Sequence, residues 1–184
     1  MLEKAKTFVA ESFGSKVNNE AMIHFERTVY WLLQLKPEAD EAMQIAAYAH
    51  DIERAFREGS NDDFFKDKEF NDPEKLKEHE EKGAMIISEF LEKNNYEHSN
   101  TARVYNMVRH HEEGGDLESD LIQGADSLSF LENNVSKFIA RIPIMGKEKI
   151  EKKITWMYER ISLNKAKELA KPFYDEAVKK LANN

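Results

Sequence analysis

The sequence predicts an all-α fold, a single-domain helical bundle. Seven Gly and four Pro in 184 residues leave long stretches of Ala, Glu, Lys and Leu uninterrupted, which favours helix. Apolar residues recur at spacings of three and four, as Ile23, Val29, Leu32 and Leu33 do in one segment and Met43, Ile45, Ala46 and Ala49 in the next. No stretch of strand length alternates apolar with polar residues.

The periodicity places helices at about 2–13, 18–36, 38–57, 73–94, 99–112, 118–141, 147–162 and 164–182. The first stops at Gly14, and Asn18 or Asn19 is a cap for the second, which ends before Pro37. The third is rich in small apolar residues, so it is expected to be buried. After it comes EGSNDDFFKDKEFND, an acidic loop with Phe64, Phe65 and Phe70. A loop this long in a compact domain is either functional or mobile, or a surface loop whose phenylalanines tuck into the core. Asp72-Pro73 starts the fourth helix, with a capping carboxylate followed by proline at the first helical position. The fifth follows Ser99, with His98 on the surface, and ends at residues 113–116. The sixth runs to the break at Pro143–Gly146, and Pro172 is placed to kink or divide the last. Trp31, Trp156, Tyr30, Tyr105 and Tyr158, with Met22, Met43, Met85 and Met107, read as packing residues. The expected organisation is one domain over 1–184, with a core at about 20–135 and C-terminal helices at about 147–182 packed on it.

Composition narrows the function. A hydrophobic content of 41% and charged content of 34% describe a globular protein, and the net charge of −8 argues against a nucleic-acid polymer as partner. The absence of cysteine excludes disulfides and thiolate zinc sites. No apolar run reaches the length of a membrane span, and the start MLEKAKTFVAESF lacks a signal-peptide apolar region, so the expected compartment is the cytoplasm. A homodimer through amphipathic helices is compatible with the sequence but not decided by it.

Five of six histidines fall in an ordered series with aspartate: His24, His50-Asp51, His79, His110-His111 and Asp126. Imidazole and carboxylate together suit Fe, Mn, Ni, Co or Zn. The segments are distant in sequence, so a bundle with convergent inner faces is needed to assemble them. Neighbours on a helix point about 100° apart, so a shared ion at His50-Asp51 is eased if Asp51 bridges two ions, and His110 and His111 are not expected on one ion. Arg27 and Arg54 follow His24 and Asp51 by one turn and are candidates to bind a phosphate. Lys147, Lys149, Lys152 and Lys153 read as a solvated helix face, with collection of an anionic substrate as the alternative.

The order H…HD…D, with the strings HFER, AAYAHDIER and GADSLSFLE, resembles the HD superfamily of metal-dependent phosphohydrolases over roughly residues 20–182. The added His79 and His110-His111 are similar to the extended ligand set of two-metal members such as HD-GYP phosphodiesterases. The chain departs from that group after HHEE, where GGDLESD replaces GYP, which argues against a cyclic dinucleotide. The resemblance implies a first divalent transition metal on His24, His50, Asp51 and Asp126. It implies a second on Asp51, His79 and His110, or His111; some HD-GYP proteins have a further ligand carboxylate where Glu20 stands, but two ions are the expectation. It further implies hydrolysis of a phosphomonoester or phosphodiester of a small nucleotide-like metabolite, with Asp51, His110 and His111 in the catalytic machinery. Two other readings share the ligands: a di-iron oxygenase using O₂, and a nucleotide-sensing module without turnover.

Overall fold

The computed structural model describes residues 1–14, 19–59, 61–65 and 68–183, with the side chains of 19–21, 61 and 62 outside that description. All regular structure among these residues is helical: α1 (Leu2–Phe13), α2 (Asn19–Leu35), α3 (Glu41–Ala49), α4 (Glu53–Phe56), α5 (Asn61–Phe64), α6 (Pro73–Lys93), α7 (His98–Arg109), α8 (Leu117–Asn133), α9 (Val135–Ile139), α10 (Ile142–Met145), α11 (Lys147–Glu159) and α12 (Asn164–Ala182). The Asn18 and Asn19 caps and the Glu20 ligand position lie outside the described residues or side chains. No described helix is long and apolar enough to cross a membrane.

Two helices form the interior. In α3 every residue from Ala42 to Ala49 is buried except Gln44, and in α8 every residue from Leu121 to Leu131 is buried. A helix that is buried on all faces must be enclosed by others. Helices α1, α2 and α7 pack on α3, while α2, α11 and α12 pack on α8, and α6 lies against α7. The small residues make this closeness feasible. A Cβ on Gly83 of α6 would sit 3.4 Å from the His50 carbonyl oxygen, and one on Gly124 of α8 would sit 3.0 Å from Ala166 Cβ.

The capping residues act as their chemistry requires. Asp40, Asp72 and Asp116 accept backbone N–H bonds from Met43, Lys75 and Ser119 at 3.0–3.1 Å, starting α3, α6 and α8. Pro73 stands in the first turn of α6, and Pro172 sits inside α12 without dividing it.

Two expected helices are broken. The segment 38–57 splits into α3 and α4, and His50-Asp51-Ile52 form the turn between them. There the ladder shortens to bonds three residues apart, Ile52 N–H to Ala49 O at 2.9 Å and Arg54 N–H to Asp51 O at 3.0 Å. The segment 118–141 splits into α8 and α9 at Asn134. Of the expected packing residues, Trp31, Met43 and Met107 are buried, but Tyr30 and Met85 stand 41% and 54% exposed. Glu97, not Ser99, precedes α7, and His98 is exposed as expected.

Candidate metal centre

The break after α3 turns His50 and Asp51 inward together. His24 from the middle of α2, Asp126 from the middle of α8, His79 from α6 and His111 from the end of α7 meet them there, and all six are buried. Donor atoms of His24, His50 and Asp51 lie within 4.8 Å of one another, as do those of Asp51, His79 and His111. Asp51 belongs to both groups. Its Oδ2 faces His24 Nε2 at 3.9 Å and His50 Nε2 at 3.6 Å, and its Oδ1 faces His79 Nε2 at 3.0 Å. Asp126 Oδ1 joins the first group, 3.1 Å from His24 Nε2 and 3.4 Å from His50 Nε2. Ligands around one ion with bonds of about 2.1 Å are separated by about 3.0–3.4 Å, from octahedral to tetrahedral geometry.

The ring nitrogens are assigned by their outer partners. His50 Nδ1–H donates to Ala47 O at 2.9 Å, and His111 Nδ1–H to Val108 O at 2.7 Å. His79 Nδ1–H donates to the Glu53 carboxylate at 2.8 Å. Ser129 Oγ donates its own hydrogen to His24 O at 2.9 Å, so toward the ring it accepts, at 2.8 Å, from His24 Nδ1–H. All four imidazoles therefore carry a proton on Nδ1 and turn Nε2 inward, as metal-bound imidazoles do. Four buried polar side-chain atoms lack a hydrogen-bond partner among the described residues. Three of them, His50 Nε2, His111 Nε2 and Arg54 Nε, belong to this site, and the fourth is Ser88 Oγ.

Electrostatics point the same way. Burial opposes a charge on His50, but the carboxylates of Asp51 and Asp126 outweigh it and raise the pKa to about 9. Burial likewise opposes charge on His79, which Asp51 and Glu53 overcome, raising it. The site thus calls for positive charge between its nitrogens and oxygens. His111 differs: burial, reinforced by the neighbouring imidazoles, lowers it to about 4, so its inward nitrogen keeps a lone pair with no donor to meet it. Burial opposes ionisation of Asp51 and Asp126, yet Arg54 and Arg160, respectively, with the imidazoles hold both well below the usual range. Two orphaned imidazole nitrogens, an all-N/O donor set and matching separations fit divalent transition metal.

A cavity of about 40 Å³ adjoins the cluster, lined by His24, His79 and Asp126 on one side and by Arg54, Lys153, Phe65, Phe70, Phe130 and Phe138 among others. The loop phenylalanines Phe65 and Phe70 are thus buried in its wall, and Lys149 Nζ donates to the carbonyls of Phe65 and Lys68 at 2.8 and 2.7 Å. At about 10–15 Å³ per water, the cavity holds about three water-sized species.

Two expected site residues are not brought in. His110 ends α7 with φ −126°, half-buried, with its ring 3.3 Å from Arg109, so only His111 of the pair reaches the cluster. Arg27 falls on the outer α2–α8 seam, where its guanidinium makes paired bonds of 2.8 and 2.7 Å to Glu132 and stacks over Tyr30 at 3.8 Å. Arg54 does arrive: its Nη1 lies 2.6 Å from Asp51 Oδ2.

Supporting residues that the sequence reading missed are Ser129, Glu53 with Arg57, Glu112 and Arg160. Arg160 bridges Glu112 and Asp126 and donates to Ser127 Oγ at 2.9 Å, which fixes the outer oxygen of Asp126. Serines at 127 and 129, beside Asp126 in a run that is buried throughout, are a usable signal, since a buried hydroxyl needs a partner. So is the Glu53/Arg57 pair at helical spacing.

A family model described as a domain of unknown function, DUF4202, matches residues 6–181. The chain belongs to the DUF4202 family. The match spans every helix that contributes to the cluster, so the metal-grade residues of this DUF4202 chain sit inside the family's own domain. No curated protein and no solved structure matches the chain.

Proposed function

We propose that the protein is a metal-dependent phosphohydrolase of the HD type, which hydrolyses a phosphate ester of a small nucleotide-like metabolite. The observation that carries this reading is the convergence of four imidazoles, each with Nδ1–H tied outward and Nε2 turned toward Asp51 or Asp126. His24, His50, Asp51 and Asp126 would hold one ion, and Asp51, His79 and His111 a second. Divalent ions in such a pair supply acidified water and charge neutralisation for in-line displacement at phosphorus.

The protein's own groups do the rest. Arg54, next to Asp51 and with an unsatisfied Nε, binds phosphoryl oxygens. Arg160 keeps Asp126 ionised and oriented, and Glu53 orients the His79 ring by accepting its Nδ1–H. The phenyl rings of Phe65, Phe70, Phe130 and Phe138 exclude bulk water. The cationic lining favours a phosphate ester over the O₂ chemistry open to the same ligands.

The test is phosphate release from a panel of aryl phosphates and nucleotides with Mn²⁺, Co²⁺, Ni²⁺ or Fe²⁺. Wild type is expected to turn over, and Asp51→Asn, which touches both ligand groups, to lose more than about 100-fold in rate together with bound metal. A metal-loaded wild type that releases no phosphate from any ester sinks the proposal, and iron-dependent O₂ consumption in its place would point to the oxygenase.

A further inference from the structure

Helix α11 carries four lysines, and three of them have evident partners or open surroundings. Lys147 is exposed, Lys152 is exposed and pairs with Glu148 at 3.0 Å, and Lys149 is bonded to the loop carbonyls. Lys153 is different. It points into the helix's buried side and lines the same cavity as His24, His79 and Asp126. Its ammonium lies among aromatic rings, 4.4 Å from the Trp156 centroid, 5.7 Å from Phe130 and 6.0 Å from Phe70. Among the described residues no carboxylate lies within 4 Å of it and no acceptor is bonded to it. The two nearby acids, Glu112 and Asp126, are both taken by Arg160.

A half-buried ammonium without a counter-ion is costly, and cation–π contacts offset only part of that cost. Burial lowers the lysine to about 8, against the pull of the Glu112 and Asp126 charges and with Arg160 and Arg54 pushing the same way as burial. A methionine there would keep the packing without the charge. Arg54 Nε, buried in the wall of the same cavity, is also without an acceptor. Two cationic side chains with unmet donors thus flank a space whose other side is the imidazole–carboxylate cluster.

We infer that Lys153 is a substrate-binding residue, which with Arg54 receives the oxygens of a phosphoryl group held against the cluster. This rests on the hydrolase reading for the identity of the anion. It adds a recognition element from α11, outside the ordered histidine–aspartate series.

The experiment is calorimetric titration of the Mn²⁺-loaded protein with inorganic phosphate, for wild type, Lys153→Met and Lys153→Arg, with metal content and the melting temperature without phosphate as parallel measurements. Lys153→Met is expected to bind phosphate at least about tenfold more weakly, the loss of a charged hydrogen bond, with Lys153→Arg recovering part of the affinity. Its metal content should be unchanged and its melting temperature equal or higher, because an unpaired charge has been removed. Wild-type affinity in Lys153→Met, or absence of phosphate binding by the loaded wild type, overturns the inference. So does a lower melting temperature with lost metal, since that marks a structural lysine. If phosphate binding depends on Lys153 but no ester is hydrolysed, the anion site stands and the hydrolase reading alone falls.

Discussion

Ser129 Oγ accepts the Nδ1–H of His24 while giving its own hydrogen to the carbonyl of the same residue, so one hydroxyl fixes both the ring's orientation and its tautomer. Outer partners of this kind commonly change metal affinity by about 10–100-fold when removed. Ser129→Ala is therefore expected to bind Mn²⁺ or Zn²⁺ about 10–100-fold more weakly in chelator competition, with the helical circular dichroism retained. His110→Ala is the matched control and should leave affinity unchanged, because that ring faces Arg109. If His110→Ala weakens metal binding as Ser129→Ala does, the assignment of His111 to the cluster is wrong. The histidines and aspartates were legible in the sequence because their side chains advertise their chemistry. Two of the four outer acceptors are backbone carbonyls, Ala47 O and Val108 O, and these leave no mark on residue identity.

At the scale of elements, the seam between α2 and α8 sets the distance between His24 and Asp126. Glu132 clasps it by accepting from Arg27 and, at 2.9 Å, from Trp31 Nε1. Burial works against ionised Glu132, but these bonds prevail and lower its pKa from 4.5. A depressed carboxyl pKa contributes stability above the unfolded value and loses it as pH falls through the folded one. Glu132→Gln should therefore cost about 1 kcal/mol or less at pH 7 in urea unfolding, and the gap from wild type should narrow once pH drops below about 4.5 and then vanish. A gap that persists undiminished at pH 3 would assign the cost to packing. Element boundaries were less legible than element existence. Nothing in the propensities of AAYAHDIERAF marks a stop, since the residues through Phe56 all tolerate helix. The break at His50-Asp51-Ile52 is a tertiary effect: it turns the doublet toward groups on four other helices, and local pattern carries no record of that.

At the scale of the whole molecule, α2, α3, α6, α7 and α8 bury the imidazole–carboxylate cluster together, so any ion held there would be coupled to the stability of the fold. Ions that bind the folded state alone contribute about 2.7 kcal/mol at one hundred times the dissociation constant. In a domain of this size that is a rise of about 5–10 °C in melting temperature. Scanning calorimetry should show this rise with Mn²⁺ or Zn²⁺ and its reversal by chelator, and Asp51→Asn should abolish most of it. The all-α class was legible from periodicity and composition. The cationic wall was legible only in part: Arg54 stands out beside Asp51, but Lys153 reads with its neighbours as a solvated face and Arg160 goes unnoticed, because both lie more than twenty residues beyond Asp126 and reach it through the packing of α11 on α8. Arg27 shows the converse, for its place one turn after His24 resembles that of Arg54 after Asp51, but the outer face of α2 belongs to Glu132.

Lys149 joins α11 to the loop by two bonds, and the same helix presents Lys153 one turn later to the interior. Those two bonds tie the loop that bears Phe65 and Phe70, both in the cavity wall, to the helix that bears Lys153. On the hydrolase reading, residence time in the cavity would depend on that helix and loop acting together, and product release rather than chemistry would be the step they slow.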